Sequence, residues 1–153
     1  ISFALLQKAY QKIEKEHVLP LVLNGERPCF TASFDIIVSN LALHWFSDPK
    51  SALTRLVACL KPGGRLYITT LGNNSFHEWR TAHSLVEAPC GILDFMTFGQ
   101  LRDWLPVSGV RQIEEEWVTA TPSNALEFLR SLKAMGGHLA HPERPELSHP
   151  THD

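Results

Sequence analysis

The chain has 153 residues, 44% of them hydrophobic and 20% charged, with a net charge of -2. This is the make-up of one ordinary globular domain and argues against disorder. The near-neutral balance, without blocks of like charge, offers no electrostatic handle for nucleic acid or an anionic membrane, so a small molecule or a protein is the expected partner. Cys29, Cys59 and Cys90 are odd in number and widely spaced, with no C-x-x-C pair, which points to a reducing compartment rather than a disulfide framework. No apolar run reaches the roughly 20 residues that cross a bilayer, and no secretion signal is present, so a soluble, cytoplasmic protein is expected. The chain opens at Ile1, already inside an amphipathic pattern, which predicts a beginning cut away.

Phe3, Leu6, Tyr10 and Ile13 recur at helical spacing and predict a surface helix over 3–16, with Ser2 as its N-cap. "HVLPLVL" (17–23) contains Pro20 and is expected to be an edge or irregular strand. "FDIIVSN" (34–40) is apolar on consecutive positions, the pattern of a parallel strand covered on both faces. Asp48 and Pro49 then mark a helix start, and Ala52, Leu53, Leu56, Val57 and Leu60 form one helical face. That helix is expected to stop at "KPGG", where Pro62 cannot continue the bonding and Gly63 or Gly64 can take a positive φ. "RLYITTL" follows as the next strand. The unit from Phe34 to Leu71 is thus strand, helix, strand, with parallel strands and a right-handed crossover expected.

Beyond it, residues 74–88 read as helical and "TFGQLRDWLPVSG" as a short helix. "VRQIEEEWVTA" reads as an exposed or edge strand. Ala125, Phe128, Leu129, Leu132 and Met135 form a last helical stripe ending at Gly136 and Gly137. The Pro- and His-rich remainder, 138–153, reads as loop or tail, leaving 1–137 as the domain.

The segment joining the first predicted strand to the helix is "SNLALHW", and it is apolar where a polar loop is the default. In open parallel α/β sheets ligands bind beyond the carboxyl ends of the strands, so such a loop can line a cleft. The alternative, that Leu41, Leu43 and Trp45 simply pack on the next helix, is favoured by composition alone.

The run "FDIIVSNLALHWFSDPKSALTRLVACLKPGGRLYITTL" resembles the fourth-to-fifth strand region of class I S-adenosylmethionine-dependent methyltransferases. "SNLALHW", "TTLG" with "SFHEW" beyond it, and "ALEFLRSLKAMGG" narrow the resemblance to the malonyl-[acyl-carrier protein] O-methyltransferases of biotin synthesis. The resemblance implies an α/β, Rossmann-like fold with a mostly parallel sheet, incomplete here at both ends. The Gly-rich loop of that family has no counterpart, since no G-x-G occurs, and Asn24 stands where the family usually has Asp. By the resemblance, Asn24, Gly25 and, more weakly, Glu26 lie near the adenine of S-adenosylmethionine; Glu26, flanked by Arg27, otherwise reads as a solvated surface charge. Ser39, Asn40 and Leu41 face its amino-acid part, and His44 and Trp45 stand by the methyl-transfer channel. Without the Gly-rich loop, the chain by itself is expected to bind the cofactor weakly.

The implied reaction is in-line attack on the cofactor's methyl group by a carboxylate, which is ionised at neutral pH and needs no general base. His44 therefore reads as a packing or hydrogen-bonding ring. The implied partner is an acidic acyl-carrier protein, or else a small-molecule carboxylate. Arg130 and Lys133, one helical turn apart, are the candidates to meet the carrier, with Arg80 and Arg102 as further ones. A metal site is not expected, because His77 and His83 are not at ligand spacing on a helix. The other readings are a different small-molecule methyltransferase of the same fold and a non-catalytic binding or assembly module.

Overall fold

A computed structural model describes residues 3–13, 17–106, 109 and 111–134. The chain divides into two compact units, Ile1–Ile113 and Glu114–Asp153. The expected N-cap at Ser2, the boundary at 137/138 and the His-rich tail lie outside the described residues.

In the first unit the helix α1 spans Phe3–Tyr10. Residues 18–24 run without ladder partners, as Pro20 requires of a segment that cannot donate at that position. Strand β1 (Phe34–Asn40) pairs in parallel with β2 (Leu60–Thr69), and α2 (Pro49–Ala58) crosses between them. This is the strand, helix, strand unit of a Rossmann-like α/β fold. Asp48 caps α2 by accepting from the Ser51 N–H at 3.0 Å, and Pro49 occupies the first turn, where its missing N–H costs nothing.

The exit from α2 differs from expectation. The helix ends at Ala58, before the glycines, and the Cys59 carbonyl accepts from the N–H groups of both Ser33 and Phe34. Pairing with β1 begins at once, Phe34 opposite Leu60, and resumes as Ile36 opposite Arg65. "KPGG" is therefore an irregularity inside β2, not a helix stop. Gly63 takes φ +80°, and a Cβ on Gly64 would lie about 3.0–3.1 Å from the Lys61 and Phe34 carbonyls, so both positions demand glycine.

Among the described residues the sheet is covered on one face only, where two buried faces were expected. Leu66 and Ile68 pack against a core of Leu43, Leu53 and Met96, joined by Phe46, Leu101 and Trp104. Ile36, Val38 and Tyr67, on the opposite face, are exposed. Consecutive apolar residues signal suitability for burial on both sides, but no helix among the described residues lies over that second face.

Helix α3 spans His77–Leu85 and α4 spans Phe98–Trp104. Thr97 and Gln100 form a reciprocal capping box that starts α4 and so turns Leu101 and Trp104 onto the core. Between them, Gly72 bridges Met96 in parallel and the Asn73 N–H donates to the Met96 carbonyl at 3.0 Å.

The described stretch 111–122 forms no strand, contrary to expectation, and Trp117 and Val118 are exposed. Its β-branched and aromatic residues suit a pleated surface, yet a strand exists only where a ladder partner is present. In the second unit α5 (Ala125–Ala134) starts where Asn124 Oδ1 accepts from the Glu127 N–H at 2.9 Å. The Glu127 carboxylate accepts in return from the Ser123 N–H and hydroxyl, which holds its pKa below the usual value.

Candidate functional site

The carboxyl end of β1 is built around one backbone oddity. Leu41 has φ +48°, in the left-handed region that a branched side chain avoids at a cost of about 1–2 kcal/mol. Its N–H donates to the Thr69 carbonyl at 3.0 Å and to Thr69 Oγ1 at 3.1 Å, across the register pair Asn40–Thr69. Having accepted from Leu41, the Thr69 hydroxyl directs its own proton to Asn40 Oδ1. The carboxamide is thereby oriented, leaving its Nδ2 hydrogens as donors at the strand end.

The turn at Leu41 divides the apolar loop by role. Leu43, in the short 3-10 helix Leu43–Trp45, is 1% exposed and belongs to the core. Leu41 at 48% and Trp45 at 39% stay open to solvent. Packing thus explains Leu43 but not its two neighbours, whose exposure leaves them able to meet a ligand.

His44 is half-buried. Its ring lies edge-on to Phe95 at a centroid distance of 5.4 Å, tilted against Trp45 at 5.3 Å, with Nδ1 3.4 Å from Thr70 Oγ1. Burial lowers its pKa below 6.5, so the ring is neutral at pH 7. The unfolded chain takes up this proton near 6.5 and the folded chain only at lower pH. The contribution to stability is therefore complete above pH 6.5 and is lost as the pH falls from there through the folded-state pKa. Thermal midpoints measured from pH 8 to 5 should fall less steeply below 6.5 for His44→Gln than for the parent; parallel curves would contradict this. Leu43, His44, Phe46, Asp94, Phe95 and Trp104 are among the residues lining a cavity of about 300 Å³, at the small end for ligand pockets.

The turn at 24–27 is pinned beside this loop. Asn24 Oδ1 accepts from the Glu26 N–H at 3.0 Å, and Gly25 packs so closely that a Cβ there would sit 3.3 Å from the Phe46 ring. Glu26, expected to be the weakest site residue and simply solvated, is instead the clamp. Its carboxylate accepts from the N–H groups of Ser47 (3.0 Å) and Asp48 (3.3 Å), and Arg55 donates to its backbone carbonyl at 2.9 Å. Glu26→Ala should cost about 2 kcal/mol and Glu26→Gln about half of that, since an amide oxygen replaces only one acceptor. A change within about 0.5 kcal/mol in chemical denaturation would restore the solvated-charge reading.

The structure thus brings Asn24 and Gly25 to the segment after His44 and Trp45, and ties Asn40 and Leu41 to Thr69. Ser39 is half-buried on β1, opposite Ile68. Arg130 and Lys133 lie on α5 in the second unit, both exposed. Arg80, the further candidate, has a side chain 27% exposed, and its guanidinium donates to the Leu93 carbonyl at 2.6 Å. Sequence reading missed the roles of Thr69, Glu26 and Phe95. Thr69 could have been found as the strand residue opposite Asn40, whereas nothing in "GILDFMTF" singles out Phe95. Among the described residues no cluster of His, Cys, Asp or Glu could hold a metal ion, and no helix is long and apolar enough to cross a membrane.

Residues 1–68 match the family described as methyltransferase domain. A Magnetococcus marinus protein named malonyl-[acyl-carrier protein] O-methyltransferase is 35% identical over 118 residues, 77% of this chain and 44% of its own length. Residues 1–68 thus carry a methyltransferase domain. An Erwinia billingiae protein with the same name as the first relative is 34% identical to this methyltransferase chain over 120 residues, 76% of the chain and 46% of its own length. The biotin biosynthesis bifunctional protein BioCD of Bordetella avium is 34% identical over 117 residues, 76% of the chain and 24% of its own length. The methyltransferase chain therefore spans less than half the length of each of these three relatives.

Proposed function

We propose that this methyltransferase chain is the cleft-forming part of an S-adenosylmethionine-dependent enzyme that methylates the free carboxylate of malonyl-acyl-carrier protein. The observation that carries the reading is the 35% identity over 118 residues to a relative of that name. The donor set at the strand end fits the cofactor. Asn40 Nδ2 can donate to its carboxylate, and Asn24 Oδ1 keeps a lone pair for the adenine amine after accepting from Glu26. The exposed side chains of Leu41 and Trp45 suit an aliphatic stem and a sulfonium.

S-adenosylmethionine, when bound, supplies an electrophilic methyl group. The chain's own contribution would be placement and exclusion of water: Asn40 would orient the cofactor, while Leu41 and Trp45 would cover the reacting centre and withhold water from a carboxylate and a sulfonium whose charges cancel as the methyl moves. His44 packs beside the cavity, and a carboxylate nucleophile, already ionised at pH 7, has no proton for it to take. Arg130 and Lys133, three residues apart on the exposed side of α5, offer two positive charges to an acidic carrier.

The test is transfer of labelled methyl from S-adenosylmethionine to malonyl-acyl-carrier protein by the protein that contains this chain. The expected product is a carrier-bound label released by mild alkali, as a methyl ester is. Label on other carboxylates alone would make it a different small-molecule methyltransferase, and cofactor binding without transfer to any acceptor would favour a binding module. Charge reversal at Arg130 and Lys133 should raise the KM for the carrier substrate about fivefold and leave a carrier-free malonyl thioester unaffected. Equal effects on both substrates would remove the docking role.

A further inference from the structure

We infer that Arg80 is a positioning residue for the cavity, holding the 93–96 segment and, through the Phe95 ring, the His44 side chain; this rests on the cavity being the acceptor side of the proposed transfer site. Asp94 and Phe95 line the cavity, as does Met96, which is 7% exposed. The segment that carries them is loop; the Met96 side chain is anchored in the core, and two further sets of contacts among the described residues hold the rest. One is the backbone, through the bridge of Gly72 to Met96 and the Asn73 N–H donating to the Met96 carbonyl.

The other is Arg80, reaching across from α3. Its NH2 group donates to the Leu93 carbonyl at 2.6 Å, its NH1 group lies 3.5 Å from the Asp94 carboxylate, and its guanidinium carbon sits 5.6 Å from the centre of the Phe95 ring. One planar cation thus touches three consecutive residues, a task for which the compact ammonium of lysine is poorly shaped. Phe95 passes the constraint on, with its ring edge-on to His44 at 5.4 Å and 6.2 Å from Phe76. The Asp94 carboxylate is fully exposed, so its ion pair contributes little, and the Leu93 carbonyl and the Phe95 face carry the hold. Arg80 Nε is buried without a hydrogen-bond partner among the described residues. An arginine serving only as a solvated surface charge would keep that N–H in water.

The experiment reads the arrangement twice. In the protein containing this chain, Arg80→Gln should move the His44 ring-proton NMR signals, because the ring current of Phe95 no longer falls on them. It should also raise the acceptor KM about fivefold, with kcat and cofactor Kd changed by less than about twofold. A merely structural role would lower the folded fraction, and with it the apparent kcat, at unchanged KM. Arg80→Lys, which keeps the charge and one donor, should fold and show the same changes in smaller degree. In a Phe95→Leu background, Arg80→Lys should add nothing further to the KM. His44 signals unmoved in Arg80→Lys, or a fall in kcat alone, would overturn the proposal. The NMR reading does not depend on turnover, so it decides the role of Arg80 even if no methyl transfer is found.

Discussion

Leu53→Ala should cost about 2–5 kcal/mol, a large share of the roughly 5–15 kcal/mol available to a domain of ordinary stability. Leu53 is 1% exposed and packs with Leu43 and Met96, so truncation leaves a hole at the junction of α2, the loop after β1 and the 96 region. All three elements border the cavity, and the core cannot close over the hole without moving Leu43 or Met96, which line it. The urea midpoint should fall sharply at an unchanged m value. A loss below about 1 kcal/mol would mean that this cluster is not the core.

Leu41→Asn should move stability and function in opposite directions. Asparagine tolerates the left-handed conformation that leucine resists, so the backbone strain, about 1 kcal/mol, is relieved and the thermal midpoint rises by a few degrees. The same change removes an apolar side chain half-exposed at the cleft. With about 1.5 kcal/mol assigned to its burial by ligand, cofactor binding should weaken about tenfold. Leu41→Ile, apolar but β-branched, should lose stability at φ +48°. A drop in midpoint for Leu41→Asn would show that packing of the leucine side chain outweighs the backbone strain. Unchanged cofactor affinity would remove Leu41 from the site. Storing strain where a ligand binds is a common compromise, and here it comes with a specific restraint, the bifurcated bond from the Leu41 N–H to Thr69.

Much of the strand, helix, strand unit could be read from local chemistry. Asp48 and Pro49 start α2 where capping and ring geometry require. The apolar periods of Ala52 and Leu53 mark its buried side, and the Gly63–Gly64 pair marks a backbone irregularity. What was misjudged has a common cause. "VRQIEEEWVTA" has strand composition without a ladder partner among the described residues, β1 has apolar residues on a face left open, and "KPGG" sits inside a strand that starts at Leu60, five residues before the expected Arg65. Each outcome depends on which other segment is adjacent, and composition does not encode that. The family resemblance, by contrast, was legible in the motif "FDIIVSNLALHWFSDP", because such a pattern summarises an entire strand and cleft edge.

The candidate site divides in the same way. The strand end marked the segment 39–45 as a place where a ligand could bind, and the family resemblance named Ser39, Asn40, Leu41, His44 and Trp45 within it. Tertiary structure decided their roles: Leu43 buried, Leu41 and Trp45 open, Asn40 oriented by a threonine on the neighbouring strand. It also turned Glu26 from a solvated charge into a clamp and set the Arg80 guanidinium on the Leu93 carbonyl. The physical reason is range. Caps, periods and turn residues act within a few positions of the chain, where sequence is sufficient. A hydrogen bond from Ser47 to Glu26, or from Arg80 to Leu93, joins segments whose approach is fixed only when the whole core has packed.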